Sequence, residues 1–263
     1  MKRTILLTIS ALAFSSVSAQ AQIFDGLVDG WVGEGSLTGS RTTGNTETTD
    51  IGLGAKLEKD TDTWNHKLKG NWDRGSVSGE ATRRRFDIGY QIERNLTDRI
   101  YLFGNADYYT DDFGPFQDGY FVGGGAGYHV LKEQPFLWDI EGGAGFRSQQ
   151  GQDFETLDAA GLPTFDVNGV PLFTSGLTDN EFALRALSDI DYQINDLVSL
   201  YNDTEIIWAA SDTYIWNEVG ITAKLAGNLS ARASYRIDHH TDVAPGLLNT
   251  DTITRFGIVY TLE

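Results

Sequence analysis

The chain has 263 residues, of which 30 are glycine, 5 are proline and none is cysteine. This length allows one large domain or two small ones, and the lack of cysteine excludes a disulfide framework and a thiolate metal site. The formal charge of −17 at pH 7 argues against nucleic acid as a partner, because phosphate binding needs a basic surface.

The N-terminal segment predicts an export signal. Two basic residues are followed by a short apolar run over 5–14, and a cleavage site of the A-x-A type ends at Ala21. We expect cleavage between Ala21 and Gln22, so that 1–21 is a signal peptide and 22–263 is the mature chain. The apolar run falls well short of the roughly 20 residues that a spanning helix needs, so any membrane insertion must be by strands.

Twelve strands are predicted along the mature chain, separated by clusters of Gly, Pro, Asn and Asp. They run over 31–42, 48–58, 64–74, 82–94, 99–110, 118–130, 136–147, 180–194, 197–209, 214–225, 229–240 and 251–263. These strands are long. Strands in soluble proteins usually have about 5–6 residues, whereas about 9–11 are needed to cross a bilayer.

The connections alternate between tight turns and longer loops. The even-numbered connections are all tight, and the longer ones, at 75–81, 111–117, 148–178 and 241–249, are all odd-numbered. Bacterial barrels have short periplasmic turns and longer extracellular loops. The sequence therefore predicts an all-β fold, a transmembrane antiparallel up-and-down barrel of about twelve strands in the outer membrane of a Gram-negative bacterium. Both termini would be periplasmic, and 148–178 would be a long extracellular loop.

The long loop carries its own hairpin signal, an Asn-Gly pair at Asn168 and Gly169 between two apolar runs. It could extend the neighbouring strands outward or fold inward as a gate. Extension is the favoured interpretation, because the apolar residues of the loop would sit poorly in a charged lumen.

The last strand shows how the side chains divide between the two faces. One face carries a set that we expect to act as a C-terminal insertion signal: Phe256, Ile258, Tyr260 and Leu262. Arg255 and Gly257 lie on the other face. An Arg that faces lipid near the midplane costs roughly 2–4 kcal/mol, so the charged face must point inward.

Three positions depart from this alternation. Asn202 and Thr204 fall on the apolar side of the ninth predicted strand, and Trp216 falls on the polar side of the tenth.

The inward faces predict a lumen of mixed charge. The lumen-lining candidates are Arg83, Arg85, Asp87, Arg99, Asp107, Glu141, Arg147, Arg185, Asp189, Asp203, Glu205, Arg232, Arg236, Asp238 and Arg255. Such residues either select solutes by charge or pair into a filling that holds the barrel shape. Inward glycines favour the first alternative, because they would leave space on one wall: Gly123, Gly125, Gly127, Gly143 and Gly145.

Several segments together resemble the family of salt-induced outer-membrane proteins, whose domain is of unknown function. They are the first hairpin over 35–58 with its turn at 43–46, the stretch 95–104, the glycine run 123–128, the segment 223–231 and the pair 251–252. Two features depart from the family: the chain ends in Glu263 instead of an aromatic residue, and the connection 148–178 is long. The resemblance implies an integral outer-membrane barrel and brings no ligand, catalytic residue or cofactor.

The expected function is a narrow passive channel for small polar solutes or ions, linked to salt or osmotic stress. One alternative is a non-conducting barrel that stabilises the envelope. A surface hydrolase is the least favoured, based on Asp238 and His240 near the outer rim and on Asp111 and Asp112 in another outer loop. We expect no enzyme activity, cofactor or metal.

The expected partners follow from an outer-membrane location. They are outer-membrane lipid and lipopolysaccharide, and, during insertion, periplasmic chaperones and the barrel-assembly machinery. Nucleic acid is not expected as a partner, and the chain is expected to be a monomer.

Overall fold

A computed structural model of the chain describes residues 30–42, 48–61, 63–243 and 247–262. The predicted signal peptide, its cleavage site at Ala21 and Gln22, the turn 43–46 and Glu263 lie outside the described residues. Within the described part of the chain, no helix is long and apolar enough to cross a membrane.

The described residues form fourteen strands. They are β1 (Val32–Thr42), β2 (Thr48–Asp60), β3 (Asn65–Val77), β4 (Glu80–Asn95), β5 (Ile100–Asp111), β6 (Phe116–Glu133), β7 (Phe136–Gly151), β8 (Phe154–Glu155), β9 (Phe173–Thr174), β10 (Thr178–Asn195), β11 (Val198–Ala209), β12 (Thr213–Ala226), β13 (Leu229–His240) and β14 (Thr250–Leu262). Twelve of them close into one barrel, and β8 and β9 form a separate two-stranded sheet.

Every pairing in the barrel is antiparallel, and β1 closes the barrel against β14, where Gly35 lies opposite Tyr260. Neighbouring strands in the sequence are neighbours in the barrel, except that β7 pairs with β10. The prediction of a closed, twelve-stranded, up-and-down barrel is confirmed.

The two ends of the barrel differ. We call the end with the connections β2–β3, β4–β5, β6–β7, β10–β11 and β12–β13 the turn end, and the opposite end the loop end. One connection at the loop end is shorter than predicted: the loop expected over 75–81 is a two-residue turn at Ser78 and Gly79. Their φ angles are 52° and 87°, and two positive φ angles match the twist of the flanking strands in a tight hairpin.

The loop between β7 and β10 contains an eight-residue repeat, TLDAAGLP over 156–163 and TFDVNGVP over 164–171. In each unit the aspartate side chain accepts two backbone N–H groups of its own turn. The glycine of each unit has a φ near 78°, which favours glycine. For Asp166, the N–H groups of Val170 and Asn168 lower the pKa of the carboxyl group. The predicted turn at Asn168 and Gly169 belongs to the second unit.

The same loop lies outside the lumen. Its apolar side chains are exposed, among them Val167 at 100% and Leu177 at 86%. The residues that line the lumen do not include any residue of 152–177. Gln152 fastens the base of the loop to the barrel rim, because its side chain donates to the carbonyl oxygens of Asp111 and Gly114. The loop therefore extends the wall instead of entering the barrel.

Side chains alternate between the lumen and the outer surface along each strand. On β14, Phe256 and Tyr260 point outward and are 60% and 54% exposed. Ile253 and Val259 point towards the lumen and are buried. The outer surface of β4 likewise carries Phe86, Ile88 and Tyr90, all about 40% exposed. The barrel thus has an apolar outer surface and a charged lumen.

Candidate functional site

The lumen contains a cavity of about 300 Å³. Twelve of the fifteen predicted residues line it: Arg85, Asp87, Asp107, Glu141, Arg147, Arg185, Asp189, Asp203, Glu205, Arg232, Arg236 and Arg255. Arg83 lines a small separate pocket, and Asp238 is buried beside the cavity in ion pairs with Arg236 and Arg85.

Arg99 does not line the cavity. It is exposed in the turn before β5, and its guanidinium donates to the carbonyl oxygens of His129 and Val130 at the turn end of β6. The prediction placed β5 one residue too early, and the side chain is used to hold the turn against β6.

A buried network occupies the middle of the lumen around Arg185. Its guanidinium pairs with Glu141 at 2.6 Å and with Glu205, and all three side chains are at most 6% exposed. Tyr101 donates its hydroxyl to Glu141 at 2.9 Å, and the Trp216 indole donates to Glu205 at 2.6 Å. Trp216 therefore points inward because its N–H has a carboxylate partner there, as a buried indole requires.

A second network closes the loop end. Arg147 pairs with Glu181 at 2.8 Å, and the ring of His240 contacts the Asp212 carboxylate at 2.6 Å through Nδ1. Asp212 lies in the β11–β12 connection with its side chain only 1% exposed. Burial alone would raise the pKa of Asp212, but the hydrogen bond and charge of His240, with the N–H of Asp242, lower it below its ordinary value.

Side chains from nearly opposite walls meet across the lumen at several places. The Lys56 ammonium on β2 pairs with Asp203 on β11 at 3.0 Å. The Arg85 guanidinium on β4 pairs with Asp238 on β13 at 3.5 Å. The ring of Phe116 on β6 lies 5.1 Å from that of His240 on β13. In each pair the two strands are five positions apart in a ring of twelve, so the contacts join nearly opposite walls.

The lumen is more open at the turn end. Near that end the side chain of Lys56 is 56% exposed although it points inward, and Asp189 and Asp191 are also exposed. Near the loop end the side chains of Arg147 and Asp212 are 4% and 1% exposed. The cavity therefore opens towards the turn end and is closed by packed side chains at the loop end.

The inward glycines do not leave open space, and the interpretation that they widen the lumen is wrong. A Cβ atom on Gly127 would lie 2.0 Å from the Tyr101 ring, and one on Gly145 would lie 2.6 Å from the Phe121 ring. Tyr101 is directly opposite Gly127 in the β5–β6 pairing. The rings of Tyr101 and Phe121 and the backbone of Gly142 occupy the space beside these glycines, which keeps that wall filled.

Residues 35–262 match the family described as "Protein of unknown function, DUF481". The chain belongs to the DUF481 family. The match begins within β1 and reaches the end of β14, so it includes every cavity-lining residue except Glu34.

Several solved barrels are similar to this DUF481 chain. The translocator domain of the autotransporter NalP from Neisseria meningitidis is 13% identical, with a TM-score of 0.47, and the match covers 92% of this chain and 94% of that one. An outer-membrane channel from Pseudomonas putida F1 is 11% identical with a TM-score of 0.47, covering 88% and 95%. The KdgM porin is 8% identical with a TM-score of 0.43, covering 89% and 99%. A search of curated proteins gave no match.

The hydrolase candidates of the DUF481 barrel are all engaged in other contacts. His240 pairs with Asp212, while Asp238 accepts from Arg236 and Tyr214. Asp111 and Asp112 also have separate partners. Asp111 accepts the N–H groups of the turn that follows it, and Asp112 pairs with Arg84 on the outer surface. No group of three or more potential metal ligands occurs among the described residues.

Proposed function

We propose that the chain is an integral outer-membrane barrel whose lumen is a narrow passage for small polar solutes or ions. Strands of 11 to 18 residues are long enough to cross a bilayer at the tilt of a barrel. Closure pairs the two edge strands, β1 and β14, over Gly33–Thr38, which removes exposed sheet edge as a lipid environment requires. The apolar outer surface supports the same location.

Exposed aromatic side chains support the position of the barrel in the membrane. Two bands occur on the outer surface. Tyr90, Tyr128, Tyr192 and Tyr260 lie towards the turn end, and Tyr108, Tyr120, Phe146, Phe182 and Trp208 lie towards the loop end. Such rings favour the two headgroup layers. With the turns in the periplasm, both termini are periplasmic, and the chain meets lipid and lipopolysaccharide along its wall.

The observation that carries the transport proposal is the cavity lined by both signs of charge and interrupted by side-chain contacts rather than by backbone. Lys56, Arg85 and their partners are flexible side chains, so the path opens when an ion pair dissociates. The Lys56 side chain is 56% exposed and Asp203 only 14%, so solvent reaches the lysine end of this pair and the contact opens more easily than the fully buried pairs. The buried network around Arg185 is the tighter constriction.

A non-conducting structural barrel is the second candidate. The contacts between opposite walls favour it, because they hold the barrel in shape and obstruct the lumen. We propose no enzymatic activity for either candidate.

Single-channel recording in planar bilayers separates the two candidates. A channel gives small, brief conductance steps from the purified wild-type protein, because opening requires ion pairs to break. Complete absence of current above the bilayer background, in protein shown to be folded and inserted, would remove the channel and leave the structural barrel.

A link to salt stress gives this proposal a second test. The Lys56 side chain of the Lys56–Asp203 pair is 56% exposed, so raising salt screens the attraction between them. We expect open probability to increase between 0.1 M and 1 M KCl, beyond the rise in conductance that the bulk electrolyte causes. An open probability that does not change with salt would contradict this link.

Insertion would use the exposed face of β14. Phe256, Ile258, Tyr260 and Leu262 all point outward and are 37–60% exposed, where periplasmic chaperones and the assembly machinery could bind them before the barrel closes. Replacing Tyr260 and Leu262 by Ser should reduce the amount of folded protein in the outer membrane. An unchanged amount would rule out this signal.

A further inference from the structure

A group of polar side chains lies at mid-height on the outer surface of three consecutive strands. Four uncharged side chains form what we call the polar row, on three consecutive strands: Ser188 on β10, Asn202 and Thr204 on β11, and Asn217 on β12. Ser188 lies directly opposite Thr204, and Thr204 lies directly opposite Asn217. The row therefore runs continuously across three strands.

All four side chains point outward. Their neighbours on the same faces are exposed apolar residues, among them Leu200, Ile206, Val219 and Leu184. The residues between them, such as Asp203 and Glu205, line the lumen. On β11, Leu200 lies below the row and Ile206 above it, so the row lies at mid-height with apolar surface on both sides.

The polar row is only partly satisfied within the chain. Asn217 Nδ2 donates to Thr204 Oγ1 at 2.7 Å, and Thr204 Oγ1 donates to Asn202 Oδ1 at 3.3 Å. Ser188 Oγ accepts from the indole of Trp138 at 3.1 Å. Within the described residues, no hydrogen bond to Asn217 Oδ1 or from the Ser188 hydroxyl is present. Lipid chains offer neither donors nor acceptors, so the spare groups of the row favour contact with protein.

We propose that the wall formed by β10, β11 and β12 binds a second copy of this chain through the polar row. This inference rests on the outer-membrane location proposed above. Every copy inserts with the same direction, so a feature at mid-height on one copy meets the same height on another. A two-fold axis along the membrane normal then brings the two rows together.

The chemistry of the row fits its own copy. An asparagine amide both donates and accepts, so Asn217 can pair with Asn217 or Thr204 of a second copy. The row carries no charge, so two copies do not repel. A different barrel would need polar groups at the same height, whereas a second copy has them by symmetry. The dimer replaces the monomer that the sequence alone predicts.

Cysteine cross-linking in native outer membranes tests the dimer. The chain has no cysteine, so a single Val219→Cys variant places one thiol beside the row on the outer surface of β12. Ile88→Cys on the outer surface of β4, five strands away from β11, is the matched control. With a short bismaleimide we expect a band of twice the chain mass from Val219→Cys and at least fivefold less from Ile88→Cys.

The second step replaces the polar row in the Val219→Cys background by Asn202→Leu, Thr204→Val and Asn217→Leu. These changes suit a lipid-facing wall, so the barrel still folds, which its heat-modifiable migration on gels verifies. We expect the dimer band to fall at least fivefold. Equal cross-linking from both cysteine positions, no dimer, an unchanged band after row replacement, or a product with a different protein would overturn the proposal. A chain found in the soluble fraction would instead overturn the membrane location.

Discussion

Lys56 and Asp203 form an ion pair at 3.0 Å although their strands, β2 and β11, lie almost opposite each other in the barrel. Asp203 is also directly opposite Asp189 in the β10–β11 pairing. Two carboxylates that face each other across neighbouring strands repel, and one lysine from the far wall compensates them. The contact thus balances charge and obstructs the lumen at the same time.

Removing that lysine should change the charge of the lumen near the turn end. We expect Lys56→Ala to shift selectivity towards cations, because Asp189 and Asp203 are left uncompensated. The conductance should change little, because the Arg185 network and the contacts at the loop end remain the narrower parts of the path. Reversal potentials in a KCl gradient measure the selectivity. The charge-swapped pair Lys56→Asp with Asp203→Lys should return to the wild-type selectivity, whereas wild-type selectivity in the single variant would show that the pair does not control the charge of the path.

The aromatic rings that lie on glycines should contribute to stability. Gly127→Ala places a Cβ atom 2.0 Å from the ring of Tyr101, which is fully buried and cannot move away. Overpacking of this kind costs about 1–3 kcal/mol, so we expect a lower urea midpoint in detergent micelles, followed by tryptophan fluorescence. Gly142→Ala is the matched control, because nothing lies within 4 Å of its added Cβ. Equal midpoints for the two variants would contradict the packing role.

Protonation of Asp212 in acid should weaken the hydrogen bonds that hold the loop end together. Its pKa is lowered in the folded state, so its stabilising effect is complete above the unfolded pKa of about 3.9 and is lost as the pH falls through the folded value. The carboxylate accepts the N–H groups of Thr241 and Asp242 at 2.8 and 3.2 Å. We therefore expect the hydrogen-exchange protection of these two amides to fall in acid.

Asp212→Asn tests the same contact at neutral pH. A hydrogen bond to a charged acceptor exceeds a neutral one by about 1.4 kcal/mol, so protection of the Thr241 amide should drop roughly tenfold. The variant and the wild type should converge at low pH, where the carboxyl group is protonated. Identical protection in both proteins at pH 7 would exclude this role for the carboxylate.

The barrel was predictable from the sequence because its signals are local. Period-two alternation and turn residues depend on neighbours in the chain, and they place every barrel strand correctly to within a few residues. The missed turn at Ser78 and Gly79 shows the limit of these rules, since a serine with positive φ is uncommon. The repeat over 156–171 was visible in the sequence as two similar eight-residue units, and its spacing is the signal that would have revealed it.

The organisation of the lumen was not predictable in the same way. Alternation shows that Lys56 and Asp203 point inward, but their contact depends on which strands lie opposite each other after closure. The glycines over 123–127 illustrate the same point: the sequence shows small residues on one face, whereas the structure shows that Tyr101 and Phe121 from other positions cover them. Contacts between distant strands depend on closure and register, which local patterns do not contain.

The long loop should be dispensable for the lumen. Because the Gly151 N–H donates to the Leu177 carbonyl oxygen at 2.9 Å, the two ends of the loop are already adjacent, and an Asn-Gly turn can replace 152–176. We expect the shortened barrel to fold, with the heat-modifiable migration of the wild type, and to keep the same conductance steps. No residue of 152–177 lines the cavity, which is the physical reason for this expectation. A several-fold increase in conductance would show that the loop acts as a gate after all, and failure to fold would show that the repeat is needed to hold β7 against β10.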